Sequence, residues 1–169
     1  AASDVYKRQI CNYMKRRMQV EYDYNKEVMV TIGGSEAIDA ALRAMLDPGD
    51  EVLIPQPSYV SYVPCTILAG GVPVVIELEE KDQFRLTREK LLEKITDRTK
   101  LLVLPFPNNP TGAIMEREDL EAVAEIVKEK DLFVISDEIY AELTYRKKHV
   151  TIASLPGMKE RTVLINGFS

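Results

Sequence analysis

Histidine occurs once, cysteine twice and tryptophan nowhere in this chain, and neither an internal repeat nor a low-complexity tract runs through it. The lone histidine, His149, follows Arg146-Lys147-Lys148 in a polar stretch and reads as a surface residue. Neither a metal site nor a serine–histidine–aspartate triad can be built around it. Cys11 and Cys65 lie far apart without metal-ligand spacing, and read as free thiols of a reducing compartment, not as nucleophiles. No apolar run approaches the roughly 20 residues that span a bilayer, and no charged-then-apolar leader opens the chain. A cytoplasmic protein that needs no membrane is the expectation. Net positive charge is missing too: a charge of −5 and a pI near 5.1 repel a nucleic-acid backbone. The one basic cluster, Lys15-Arg16-Arg17, stands beside Met14 and Met18 and reads as the solvated face of a helix.

What is present has an ordinary globular balance, with 46% hydrophobic and 29% charged residues over 169 positions. That is about one domain's worth, enough for a real core but short for a two-domain enzyme. Asp4-Val5-Tyr6-Lys7-Arg8-Gln9 looks like a translated transposon-end adapter, so residues 1–9 are read as non-native and residues 10–169 as the segment that matters.

Residues 10–20 have helical character, and residues 28–32 read as a buried strand rich in branched side chains. A helix follows at 35–46, with Ile38, Ala41, Leu42 and Met45 on one face, and Asp47-Pro48-Gly49-Asp50 stops it. Strands are expected at 52–54, 72–78, 100–104, 132–136 and 162–166. Between them, residues 61–69 can be helical with Pro64 in the first turn, and Thr87 can cap a helix over 88–95. The clearest helix is 116–130. Leu120, Val123, Ala124 and Val127 form its stripe, with acidic residues early and lysines late, as the helix dipole favours. Alternating helices and continuous apolar strands imply an α/β fold, a three-layer sandwich around a mostly parallel sheet covered on both faces.

Four polar motifs each follow an apolar strand-like run: Gly33-Gly34-Ser35-Glu36, Asn108-Asn109-Pro110-Thr111-Gly112, Ser136-Asp137-Glu138-Ile139-Tyr140 and Asn166-Gly167-Phe168-Ser169. In an open α/β sheet ligands bind beyond the carboxyl ends of the strands, so four such motifs can converge on one pocket. The first joins strand to helix, which aims free backbone N–H groups and a positive dipole end at the crevice, a seat for phosphate. A tight turn with Ser35 as an ordinary cap would look the same. Pro110 forces Asn109 away from helical angles and Gly112 permits a tight return, so the Asn109 amide is held over its strand end or lies in a solvated turn. Asp137 ends a run of apolar residues, where an unpaired carboxylate is costly, so it calls for a cationic partner unless it merely caps a turn.

Taken in order, Gly33-Gly34-Ser35-Glu36-Ala37-Ile38, Pro57-Ser58-Tyr59-Val60-Ser61-Tyr62 and the three later motifs resemble the class I/II aminotransferases. These are fold type I pyridoxal-phosphate enzymes with the aspartate aminotransferase fold, and the resemblance covers about Ile10 to Ser169. It implies pyridoxal 5'-phosphate as cofactor, with its phosphate held by the backbones of Gly34, Ser35 and Glu36 and by the Ser169 hydroxyl. Tyr59 would stack on the pyridine face, although core packing beside Tyr62 also suits it. Asn109 and Tyr140 would hydrogen-bond the phenolic oxygen from either side. Asp137 would pair with the ring nitrogen and keep it protonated, so that the ring serves as an electron sink. Gly167 departs from the pattern, because many relatives carry a phosphate-binding serine there.

The family continues this last motif with the Schiff-base lysine, whereas the sequence stops at Ser169. By that resemblance the chain is an incomplete large domain without the small domain or a catalytic residue, inactive alone. Its parent would be a homodimer that moves an amino group between an amino acid and a 2-oxo acid. A carbon–sulfur lyase of the same fold and the aminotransferase-like sensor domain of a transcription regulator remain alternatives. Tyr140 leans toward transfer, because lyase relatives often have histidine there. A dinucleotide-binding domain would need a Gly-x-Gly-x-x-Gly turn, which is absent. In the gene, the codon after Ser169 is expected to encode lysine; sequencing across that end checks it, and any other residue there would remove the enzyme reading.

Overall fold

A computed structural model of the chain describes residues 2–145 and 147–168. Among them, β1 (Glu51–Gln56), β2 (Val72–Glu77), β3 (Thr99–Leu104), β4 (Phe133–Asp137) and β5 (Thr162–Ile165) form one sheet in the order β2-β1-β3-β4-β5. Every neighbouring pair is parallel. Parallel strands require crossovers, and α3 (Tyr62–Leu68), α4 (Arg88–Lys94) and α5 (Arg117–Glu129) supply three of them. Helix α2 (Gly33–Met45) leads into β1.

Side chains alternate across the central strands and so feed two cores. Leu53, Leu102, Leu104 and Val134 meet Leu91 of α4 and Leu120, Val123, Ala124 and Val127 of α5. On the other face Ile54, Leu101, Val103 and Ile135 meet Ile38 and Leu42 of α2 and Tyr62 of α3. The stripe read from α5 is therefore the buried one. Local signals placed the helices as expected: Thr87 Oγ1 accepts the Lys90 N–H at 3.4 Å, and Asp119 accepts the Glu116 N–H at 2.9 Å at the start of α5.

Three expectations change. Residues 28–32 form no strand, and Met29, Val30 and Ile32 stay exposed at 66%, 53% and 91%. Branched apolar composition promotes a strand only where a neighbouring strand takes up its hydrogen bonds. Helix α1 (Ala2–Tyr13) begins well before residue 10 and passes into a π-helical turn, Met14–Met18, that ends at left-handed Gln19 (φ 59°). The basic cluster in that turn is solvated as expected, with Lys15 paired to Glu21 at 2.9 Å and Arg17 to Glu142 at 2.6 Å. Helix α2 starts two residues early, at Gly33, whose φ of +77° admits glycine readily and strains other side chains.

No helix among the described residues is long and apolar enough to cross a membrane. Leu102 is fully buried at the centre of the sheet, so Leu102→Ala is expected to lower unfolding free energy by about 2–5 kcal/mol in urea titration. A loss below about 1 kcal/mol would contradict this core assignment.

Candidate functional site

Because all five strands run parallel, their carboxyl ends lie on one side; three of the motifs stand at the ends of β3, β4 and β5, and the first is the opening turn of α2. Strand alternation sends Asp137 of β4 to the α2–α3 face, where it is 7% exposed. Its Oδ2 accepts the Tyr62 O–H at 2.7 Å and its Oδ1 accepts the Ile139 N–H at 3.2 Å. Among the described residues no cation pairs with it. Burial holds its pKa above the ordinary 3.8, while the Tyr62 and Ile139 donors pull the other way. The phenol of Tyr62 is pushed far up, first by burial and then by the Asp137 charge, so the shared proton stays on oxygen of the tyrosine.

Tyr62 links Asp137 to the start of α2. The Tyr62 ring meets Tyr59 edge-on, with centroids 5.8 Å apart and planes at 85°, and the Tyr59 hydroxyl lies 3.2 Å from Ser35 Oγ. Hydrogen bonds from Ser35 and Ser61 lower the Tyr59 pKa. Tyr59 keeps 36% of its surface exposed while Tyr62 beneath it keeps 2%. Tyr59 thus packs beside Tyr62, as one of its two readings expects, and remains partly exposed.

Ser35 does not cap the helix. It sits inside the first turn of α2, and the capping position belongs to Ile32, whose N–H is accepted by the Glu36 carboxylate. The Gly33 N–H turns back to the Thr31 carbonyl at 3.1 Å, and helix geometry leaves the next first-turn amides, those of Gly34 and Ser35, without a partner inside the helix. Gly34 is bordered by Ile165 and Ile139, which ties this turn to the ends of β5 and β4.

In the second of these motifs the buried residue is Asn108, not Asn109. Asn108 Oδ1 accepts the Thr111 hydroxyl at 2.8 Å and the Thr111 N–H at 3.2 Å, fixing the turn from below, while Asn109 stands exposed beyond the end of β3. Tyr140 is 36% exposed on the loop after β4. A Cβ at Gly167 would lie 2.6 Å from Ile139 Cδ1, so Ile139 fills the space a larger residue would need. Ser169 lies outside the described residues.

His149 is not a surface residue. Its side chain is 11% exposed and its Nε2 lies 2.7 Å from Oε2 of Glu138, itself 1% exposed. Oε1 of Glu138 accepts the Ser136 hydroxyl at 2.8 Å and the Thr151 hydroxyl at 2.6 Å. A polar neighbourhood in sequence concealed this cluster, since His149 meets Glu138 only through the fold. Tyr62 was legible in part, because it follows Tyr59 at helical spacing. Cys11 and Cys65 are free thiols, as expected, and no group of metal-binding side chains occurs among the described residues.

Residues 2–169 match the family of aminotransferase class I and II. The chain is 47% identical over 161 residues to an aspartate aminotransferase of Pyrococcus abyssi, covering 95% of this chain and 41% of that protein. It is 41% identical to aromatic-amino-acid aminotransferase 2 of Thermococcus litoralis, again covering 95% of this chain and 41% of that protein. Its fold matches the crystal structure of an aromatic aminotransferase from Pyrococcus horikoshii with a TM-score of 0.96 at 45% identity, covering 99% of this chain and 45% of that one. The chain thus spans about two fifths of the length of the curated relatives it matches.

A carboxyl with a raised folded pKa binds its proton more tightly folded than unfolded. The stability this contributes is present below 3.8 and is lost as pH rises through the folded value. In cofactor-free protein, Asp137→Asn keeps the shape, lets the Asn amide donate to Tyr62 and removes the buried charge. The variant is expected to be more stable than wild type at pH 7 by roughly 1–3 kcal/mol, a gap that closes near pH 3 in thermal melts. A lower melting temperature at pH 7 would contradict the burial of an uncompensated charge.

Proposed function

The chain belongs to the class I and II aminotransferases, and from that premise we propose that it is part of the cofactor-binding large domain of an enzyme that transfers an amino group between an amino acid and a 2-oxo acid. The cofactor of this reading is pyridoxal 5'-phosphate. The observation that carries it is Asp137: a carboxylate 7% exposed, at the carboxyl end of a central strand, with two neutral donors and no cation among the described residues. Such a group suits a protonated ring nitrogen, because one ion then answers the other where water cannot.

When bound, pyridoxal phosphate supplies an electron sink for a substrate carbanion. The residues of the chain do the rest. Asp137 holds a proton on the ring nitrogen, and Tyr62 holds Asp137, its O–H locked onto Oδ2. The amides of Gly34, Ser35 and Glu36 at the start of α2 would take the phosphate, favoured by the helix dipole, and the family resemblance adds the Ser169 hydroxyl. The Gly167 position leaves no serine for that contact, which puts the weight of phosphate binding on the α2 turn. Tyr59 offers its exposed face to the ring. Asn109 and Tyr140 donate to the phenolic oxygen from the ends of β3 and β4, and the Asn108 turn beneath Asn109 sets its direction.

The relatives are named for aspartate and aromatic amino acids, and the proposed substrates come from that group. A homodimer in the cytoplasm goes with the same reading, and tyrosine at position 140 favours transfer over elimination.

The test uses the full-length gene product, reconstituted with pyridoxal phosphate and assayed with aspartate or an aromatic amino acid as donor and a 2-oxo acid as acceptor. Wild type is expected to take up the cofactor with a visible absorption band and to turn over. Asp137→Asn is expected to lose about 10²-fold or more in kcat/KM, the scale of removing one preorganised charge partner. A wild-type protein that takes up no cofactor, or an Asp137→Asn enzyme of undiminished rate, would overturn the proposal.

A further inference from the structure

Glu138 follows Asp137 directly, yet alternation points it to the opposite face of the sheet, among Leu104, Phe106 and Met115. A carboxylate there costs more than an apolar side chain of similar volume, and buried ion pairs and charged clusters seldom raise net stability. Every contact of this one is nevertheless made. Ser136 and Thr151 donate to Oε1, His149 lies at Oε2, and the Glu138 N–H donates to the Ile165 carbonyl at 2.9 Å.

The arrangement of these partners in the chain is informative. Ser136 precedes Asp137 on β4, whereas His149 and Thr151 arrive after the chain has left the sheet, carried Tyr140 past the crevice and returned. Glu138 therefore closes that excursion at its neck. Further out, Ala141 packs with Met14 and Met18, and Glu142 accepts the Tyr13 O–H at 2.6 Å and the Arg17 guanidinium at 2.6 and 3.1 Å. The loop is pinned at its base by the Glu138 cluster and further out by Met14, Met18, Tyr13 and Arg17, with Tyr140 between the two pins.

We propose that the Glu138–His149 pair is a positioning device that fixes the end of β4 from behind, holding Asp137 and Tyr140 in place toward the cofactor crevice. Neither Glu138 nor His149 touches the reacting atoms; both act through their neighbours. An N–H donor at position 149 is what the clamp requires, so glutamine can replace histidine and alanine cannot. A side chain that served only stability would lower the melting temperature and leave cofactor affinity alone, because affinity is read on the folded protein.

The inference rests on the cofactor reading above, and the experiment separates the two. Full-length protein is prepared without cofactor and titrated with pyridoxal 5'-phosphate by absorbance, well below the melting temperature of each variant. His149→Ala is expected to bind about 10-fold more weakly, the usual effect of removing a supporting hydrogen bond behind a ligand-holding residue. His149→Gln is expected to stay within about threefold of wild type, since it keeps the donor. Equal affinity of folded His149→Ala and wild type, or a His149→Gln as weak as His149→Ala, would overturn the clamp. Should His149→Ala not fold, Ser136→Ala decides: binding weakened about 10-fold supports the clamp, and binding within about threefold of wild type overturns it. A wild-type protein that takes up no cofactor overturns the functional reading and the clamp together, whereas a binding wild type with an equally binding His149→Ala overturns the clamp alone.

Discussion

A carboxylate out of reach of water is the constraint on which this structure turns. Asp137 is placed at the end of β4 by a strand buried from Val134 onward, and among the described residues only Tyr62 and Ile139 donate to it. Two neutral donors lower its pKa but do not offset the burial that raises it. The folded chain thus carries an electrostatic deficit at one point, and a cationic ligand group removes it. On the proposed reading, stability is given up locally for a site that would prefer a protonated ring, and perturbed carboxylates of this kind cluster at functional sites.

The surrounding architecture makes that deficit usable. A parallel sheet brings the ends of β3, β4 and β5 and the start of α2 to one edge. The contact series Ser35–Tyr59–Tyr62–Asp137 then spans the crevice from the helix end that attracts an anion to the carboxylate that attracts a cation. A ligand with a phosphate at one end and a protonatable nitrogen at the other meets both needs at once. The opposite face contributes as well: in the proposed clamp, the Glu138 cluster holds the exit of β4, and through it His149 bears on the geometry of the crevice.

Much of this was legible in the residues. The buried strands showed as continuous apolar runs, the α5 stripe as a period-3.6 pattern, and the Asp137 problem as a charge at the end of an apolar strand. What escaped was set by contacts between distant segments. Residues 28–32 have strand composition, but composition does not reveal whether a neighbour is present to pair with. The polar stretch around His149 resembles solvent-exposed loop, and nothing local indicates that it returns to Glu138, eleven residues earlier. Ser35 has the identity of a helix cap, yet glycine at 33 accepts a left-handed turn and starts the helix sooner, which moves Ser35 inward and gives its hydroxyl to Tyr59. In the first two cases a tertiary partner, missing or present, overrode a sound local preference, and in the third the turn at Gly33 did so.

The most direct test of the central claim is the protonation state of the ring nitrogen itself. In full-length protein loaded with pyridoxal phosphate labelled with 15N at that atom, the nitrogen chemical shift reports whether a proton is bound. The electrostatic account predicts a protonated nitrogen at pH 8, held by Asp137, in wild type and a neutral one in Asp137→Asn. A neutral nitrogen in the wild-type protein, or a protonated one that is indifferent to residue 137, would contradict it.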